Sequence, residues 1–391
     1  MELFDLVMQA RPASLATIGM AKNTGKTVTL NYLIRKAREA GLATGITSIG
    51  RDGEKEDAVT REPKPPIWAP KGALVATVAT EAMTAAASAA VPAATPPASA
   101  PGAVPATPAG AEESARARAV LSRVAETPFL TAVGPVGIFQ VVEPGEVEVI
   151  GPDTRSQMAA AVRMLQKLGA RLVLVDGAVD RVASAAPVLA EAVILATGAV
   201  LAPDPLEVAR RTAVRVEILG LPAVEDADLE REARRIIAGG RIGFLRGDEN
   251  SPGGTLASSA SGDSKFNIIL LPHTTALGKA REIARSFAAG SYAALAVAGA
   301  VTDSLLTELA STVPGATVIA QDSTRVQVSP GPYSLFRRRG GGIRVLDPIR
   351  LLAVTVNSYA AGGGVSFEPR GFLRLMRDRL KPLPVFDLRG E

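Results

Sequence analysis

At 391 residues the chain exceeds what one core of ordinary size organises, roughly 100 to 200 residues, so two or three units are expected. A hydrophobic fraction of 47% with 21% charged residues excludes a disordered chain, and aromatics at 4% argue against base stacking, so no nucleic-acid partner is expected. The net charge of +4 is too small for a concentrated basic field, and zero cysteines with one histidine, His273, exclude disulfides, thiol nucleophiles and cysteine-based metal sites.

In chain order, Met1 to Gln9 carries Glu2 and Asp5 and lacks a basic start before a long apolar run, so no targeting signal is read and a cytoplasmic location is expected. Ser14 to Ile18 is a short apolar run closed by glycine. Lys26 to Ala40 then places Val28, Leu30, Leu33, Ile34 and Ala37 at helical spacing, and Gly41 stops that helix. Thr44 to Ile49 forms the next strand, so the chain opens as a βαβ unit of a parallel sheet. Gly50 to Pro70 is a charged, proline-bearing loop. Residues 79–111, almost wholly Ala, Pro, Thr, Ser and Gly, read as a disordered, linker-like insertion.

Strands are expected at Phe129 to Val133, Gly137 to Val142 and Val147 to Ile150, with Pro144-Gly145 turning the last two. Asp153 or Thr154 caps a helix running to about Leu168, and the apolar strand Arg171 to Val175 ends at Asp176. Ala192 to Ala196 is a further strand, a helix begins at Leu206 to Arg210, and the charged helix Glu225 to Arg235 leads to a boundary at Gly239-Gly240. Beyond it, strands at Phe266 to Leu271, Ala293 to Val297, Thr317 to Ala320 and Leu351 to Val356, with helices at Gly278 to Phe287 and Asp303 to Ser311, form a second α/β unit of unassigned role. The division expected is 1–240 and 241–391. The apolar stretches Val188 to Leu201 and Ala293 to Val301 are shorter than the roughly 20 residues that cross a bilayer, so no membrane partner is expected.

The chemistry lies between the first strand and helix, in Gly19-Met20-Ala21-Lys22-Asn23-Thr24-Gly25-Lys26-Thr27. A bound phosphate needs converging backbone N–H groups, a helix N-terminus and a cation. Glycine lets the backbone approach the ligand. Lys26 is expected to reach the β- and γ-phosphates and Thr27 to ligate Mg2+, so the reading is a P-loop NTPase domain that binds ATP. Lys22 is balanced between a second phosphate contact and solvent exposure. Asp176, at the carboxyl edge of its strand, is the second metal group. Asp52, preferred over Glu54 and Asp57, is the catalytic or γ-phosphate-sensing candidate, and Asp180 with Arg181 is either a switch or a helix-capping ion pair. Arg337 to Arg339 reads as a solvated basic loop and His273 as a strand-end hydrogen-bonding residue.

Five residues separate Gly19 from Gly25 where the usual pattern has four. In that length, and in Asp176-Gly177-Ala178 beside a Glu-Gly-Ala element, the region resembles dethiobiotin synthetase and the cobyrinate amidotransferases, a class with a parallel sheet and frequent dimerisation. The strings at 19–29, Thr-Ser-Ile-Gly-Arg-Asp-Gly-Glu at 47–54, Val-Asp-Gly-Ala-Val-Asp-Arg at 175–181 and Ala-Thr-Gly-Ala-Val at 196–200 resemble the reactivase subunit of lysine 5,6-aminomutase. That resemblance implies an ATP-hydrolysing partner that exchanges damaged cobalamin from an adenosylcobalamin-dependent aminomutase, together with a second reactivase subunit. No Asp-x-His-x-x-Gly cobalamin-ligating motif is present, because His273 has other neighbours. The competing readings are an ATP-dependent ligase or amidotransferase that activates a carboxylate, and a nucleotide-sensing scaffold without turnover.

Overall fold

The computed structural model describes residues 1–48, 66–78, 118–177, 190–247, 266–360 and 364–389. The chain divides into two units, Met1–Thr212 with Arg350–Glu391, and Ala213–Ile349. The first opens with α1 (Leu3–Ala10) and β1 (Ser14–Gly19), a strand buried along its whole length. α2 (Lys26–Glu39) buries Leu30, Leu33, Ile34 and Ala37, the stripe expected of a helix lying on a sheet. Gly41, at φ +64°, ends it in the left-handed conformation that glycine adopts without strain. The chain continues through β2 (Thr44–Ser48), β3 (Ile67–Ala69), β4 (Leu74–Val78), β5 (Val120–Thr131), β6 (Gly134–Glu143) and β7 (Gly145–Val147). Next come α3 (Arg155–Lys167), capped by the Thr154 hydroxyl at 3.3 Å from the Gln157 N–H, then β8 (Leu172–Asp176), β9 (Ala192–Gly198) and α4 (Pro205–Leu219), which belongs to the first unit as far as Thr212 and to the second from Ala213.

The second unit contains α5 (Ala227–Ala238), β10 (Ile242–Gly247), β11 (Phe266–Leu270), α6 (Ala280–Ala288), β12 (Ala294–Val297), β13 (Val301–Thr302), α7 (Asp303–Thr312), β14 (Thr317–Ala320), β15 (Val326–Gln327), α8 (Pro330–Arg338) and β16 (Gly342–Val345). Its sheet runs β11-β10-β12-β14-β16, with β12, β14 and β16 parallel and β10 antiparallel to both neighbours. Phe244, Phe287 and Tyr292 pack together in its core, the closest pair of rings at 4.5 Å.

The chain then returns to the first unit as β17 (Leu351–Asn357), α9 (Pro369–Leu380) and β18 (Val385–Phe386). The first sheet runs β18-β17-β9-β1-β8-β2-β4-β6-β5, parallel from β18 to β4 and antiparallel only at β6 and β5. The molecule is thus mixed α/β, with a large, mostly parallel sheet and nine helices among the described residues. None of those helices is long and apolar enough to cross a membrane.

The structure corrects the expected division at 240. Residues 213–240 belong to the second unit because Ile218 and Leu221, then Ala233, Ile236 and Ile237, enter its two cores. Gly239-Gly240 is the C-terminal turn of α5, with Gly240 at φ +67°, rather than a linker. Residues 350–391 belong to the first unit because β17 pairs with β9 and β18 with β17. The hairpin expected around Pro144-Gly145 lies one strand earlier. β5 and β6 pair across Thr131 and Gly134, which sits at φ +140°, while Gly145–Val147 pairs with β3. The insertion expected at 79–111 lies outside the described residues.

Candidate functional site

β1 is flanked by β8 on one side and β9 on the other. After β1 the chain crosses through α2 to β2, beyond β8, whereas after β9 its next strand in this sheet is β17 on the far side. Connections leaving in opposite directions open a crevice at the carboxyl ends of β1 and β9, the position where parallel α/β sheets hold ligands. The Gly19 to Thr27 loop fills this place.

The loop is shaped by short-range contacts. The Met20 N–H donates to the Ala196 carbonyl at 3.0 Å, tying the loop to β9, and the Thr24 hydroxyl donates to the Ala21 carbonyl at 3.0 Å. Asn23 at φ +60° and Gly25 at φ +93° turn the backbone through left-handed conformations, which Asn tolerates and Gly favours. Gly19 is required by space. A Cβ there would lie 2.6 Å from Thr24 Oγ1 and 2.8 Å from Lys26 Cδ, so the Lys26 stem folds directly over it and the side chain is 9% exposed. Gly25 caps α2 without a side-chain acceptor, and no acidic residue stands in the first turn. The positive end of the helix therefore meets Lys26 and half-buried Thr27, and the helix's own first turn supplies no carboxylate. Lys22 is exposed on the loop.

The second half of the site comes from the strand ends. Thr17 of β1 and Ser48 of β2 are each in register with Asp176 of β8, so the three form a row across adjacent strands. Leu15, Ile46 and Leu174 join the core containing Leu30, Leu33 and Ile34 of α2, and alternation along each strand puts Thr17, Ser48 and Asp176 on that same face. The intervening positions look the other way. A Cβ on Gly45 would lie 3.2 Å from Leu165 of α3, and the Thr47 hydroxyl meets Met158 of α3 at 3.9 Å. Thr17, Ser48 and Asp176 are 1%, 0% and 6% exposed, and the Thr17 and Ser48 hydroxyl oxygens have no hydrogen-bond partner among the described residues.

Residues from the returning C-terminal segment complete the site. Asn357 Nδ2 donates to the Asn23 carbonyl at 3.1 Å, while its Oδ1 accepts from the Tyr359 N–H at 3.2 Å. The hydroxyls of Thr29 and Thr355 lie 2.9 Å apart, and Thr29 also donates to the Gly25 carbonyl at 3.1 Å. A small crevice opens beside the first turn of α2, bordered by Thr24, Val28, Asn357, Leu388 and Arg389, with the Arg389 guanidinium 5.2 Å above the Tyr359 ring.

Gly19, Asn23, Thr24, Gly25, Lys26 and Thr27 therefore share one sheet edge with Asp176. Asp52, Glu54, Asp57, Asp180 and Arg181 lie outside the described residues. His273 is in the second unit, where Nε2 meets Glu282 Oε1 at 2.8 Å. Thr17, Ser48, Thr355 and Asn357 are site residues that motif reading misses. The first two sit inside apolar strands, and the last two lie more than 300 residues from the loop.

Chemically, this edge offers oxygen donors, a lysine and a helix N-terminus, a set suited to an oxyanion accompanied by a hard cation. Among the described residues no group of three or more His, Cys, Asp or Glu forms a cage for a metal alone. No protein-family model, curated protein or solved structure matches the chain.

Proposed function

We propose that the chain is a P-loop NTPase that binds ATP and Mg2+ at Gly19 to Thr27 and uses hydrolysis to reactivate an adenosylcobalamin-dependent lysine 5,6-aminomutase. One observation carries the nucleotide reading. The glycine-bounded loop, with Lys26 folded across Gly19, lies on the same sheet face as Asp176 of the neighbouring strand. In this reading the loop N–H groups and the α2 N-terminus cradle the phosphates, and Lys26 neutralises their charge. Thr27 and Asp176 would hold Mg2+, which supplies Lewis-acid stabilisation to the phosphoryl oxygens when bound. Asn357 engages the Asn23 carbonyl and so holds the loop's shape. Asp52 is assigned to sensing the γ-phosphate, and a homodimer accords with the class the loop resembles.

The client rests on the resemblance carried by residues 19–29, 47–54, 175–181 and 196–200. Coupling requires that the partner bind one nucleotide state better than the other, since equal affinity transmits nothing. Lys26→Ala tests the core of the proposal. Calorimetry should show ATP affinity reduced about 100-fold or more, as expected when a charge-assisted contact is removed, with the circular dichroism spectrum unchanged. Unchanged affinity would refute the site. Recovery of aminomutase activity from an inactivated sample given ATP, Mg2+, fresh adenosylcobalamin and candidate second subunits tests the client. Turnover that instead requires a carboxylic acid would reassign the chain as a ligase.

A further inference from the structure

The row Thr17–Asp176–Ser48 has a property that the nucleotide reading alone does not require. Two hydroxyls, each on a strand neighbouring β8, are buried almost completely and make no hydrogen bond among the described residues. Leaving a buried hydroxyl unsatisfied is costly, and strand positions of this kind accept Val or Ala without loss of packing. Both hydroxyls flank the same carboxylate on the face covered by α2. Neighbouring strands are about 4.8 Å apart, so in-register side chains that make no direct hydrogen bond to one another are close enough to share a water.

We propose that Thr17 and Ser48 bind the water shell of a hydrated divalent cation held against Asp176, making the row a selector for Mg2+ in its hydrated form. This rests on the nucleotide reading of the same edge. The chemistry follows from the ligand types. A hydroxyl accepts a hydrogen bond from a metal-bound water, whose protons are made more acidic by the ion, and two neutral oxygens beside one carboxylate add no charge that would strip the shell. Mg2+ dehydrates reluctantly and keeps several waters, whereas Ca2+ prefers six to eight direct oxygen ligands, so the row favours Mg2+.

The test uses the full-length protein and the variants Thr17→Val, Thr17→Ser and Ser48→Ala. Calorimetric titration of ATP across a series of Mg2+ concentrations gives the Mg2+ midpoint for nucleotide binding, and thermal unfolding in EDTA gives the stability of the metal-free chain. Thr17→Val and Ser48→Ala should each raise the Mg2+ midpoint about fivefold while leaving the EDTA melting temperature equal to or above that of wild type. Thr17→Ser, which keeps the hydroxyl, should retain the wild-type midpoint. Unchanged midpoints in Thr17→Val and Ser48→Ala, with saturable Mg2+ dependence in wild type, would overturn the inference and leave the nucleotide site standing. Lower melting temperatures in EDTA for those two variants would also overturn it, by showing that the hydroxyls serve the fold. Wild-type protein that binds no ATP at any Mg2+ concentration would remove both the inference and the reading beneath it.

Discussion

Both units carry parallel strands whose carboxyl ends bear polar side chains, and the two edges differ in where those groups find partners. In the second unit, Asp347, just after β16, accepts from both terminal nitrogens of Arg234 at 3.2 Å and from Gln321 Nε2. Asp322, after β14, accepts from the Thr324 N–H at 2.8 Å and from the Thr324 hydroxyl, while Asp303 accepts from the Ser329 N–H and hydroxyl at 2.6 and 2.7 Å. In the first unit, the Thr17 and Ser48 hydroxyls have no hydrogen-bond partner among the described residues. Partnerless side-chain atoms among the described residues of the second unit are Nε atoms of Arg241, Arg246 and Arg325, and two of those guanidinium groups are engaged elsewhere. Arg241 Nη2 donates to the Leu271 carbonyl at 2.9 Å and Arg246 lies 5.0 Å over the Tyr292 ring. Location at a strand's carboxyl end is common to both edges. Polar satisfaction separates them: one network is closed on itself, and the other keeps hydrogen-bonding capacity at a cost of about 1–3 kcal/mol for each buried unsatisfied group.

The comparison breaks most severely at Gly151. A Cβ there would lie 1.8 Å from the Ser48 carbonyl oxygen, a backbone atom that cannot rotate aside. Gly151→Ala should cost about 3 kcal/mol, as forced overpacking does, seen as a lower urea midpoint, and it should also raise the Mg2+ requirement by displacing Ser48 from Asp176. A wild-type midpoint would mean that the end of β2 yields easily and that the row is not rigidly held.

A smaller effect is expected from Asp347→Ala in the closed edge. It removes the acceptor shared by Arg234 and Gln321, which are half-exposed, so a loss of about 1 kcal/mol is expected with ATP affinity unchanged. The sign opposes that expected for Thr17→Val and Ser48→Ala in metal-free protein. If Asp347→Ala weakened ATP binding instead, polar satisfaction would not distinguish a structural edge from a ligand edge.

The same contrast explains which parts of the site are legible in sequence. β1, the loop and α2 are local features. An apolar run, two glycines and a helical stripe suffice, and β8 with Asp176 is found by its apolar run ending in a charge. Thr17 and Ser48 leave no such mark, since Thr and Ser inside apolar strands are ordinary and their lack of partners exists only in three dimensions. Asn357 and Thr355 are hidden differently. The strand Leu351 to Val356 is readable, but its place beside β9 is a long-range pairing that no local pattern encodes, and the boundary read at Gly239-Gly240 assigned it to the other unit. Three strands of the second sheet, β11, β12 and β14, and the helices α6 and α7 are legible for the same local reasons as β1 and α2, whereas β10 and β16 are not read. α8 and α9 are not, because each opens with Pro and contains Gly in its first turns, which read as loop signals.

The smallest expected effect lies on α4, which follows the same sheet edge and carries charges outside the row. Glu207, in the first turn, accepts from Arg210 Nε at 2.8 Å and from Arg211 Nε at 2.6 Å, and these hydrogen bonds hold its carboxyl down to about 2. The pair is exposed, so solvent screening leaves little net stabilisation. Because the folded value lies below the unfolded value of about 4.5, whatever the carboxylate contributes is fully present above pH 4.5 and is lost as pH falls through about 2. Glu207→Gln should therefore lower the urea midpoint slightly at pH 7, and the gap from wild type should close progressively between pH 4.5 and 2. Added salt should shrink the gap at pH 7, as screening of exposed charges requires. The Mg2+ midpoint for ATP binding should not move. If it did, charge near the start of α4 would be acting on the ligand edge, and the contrast between the two sheets would have to include long-range electrostatics as well as hydrogen-bond satisfaction.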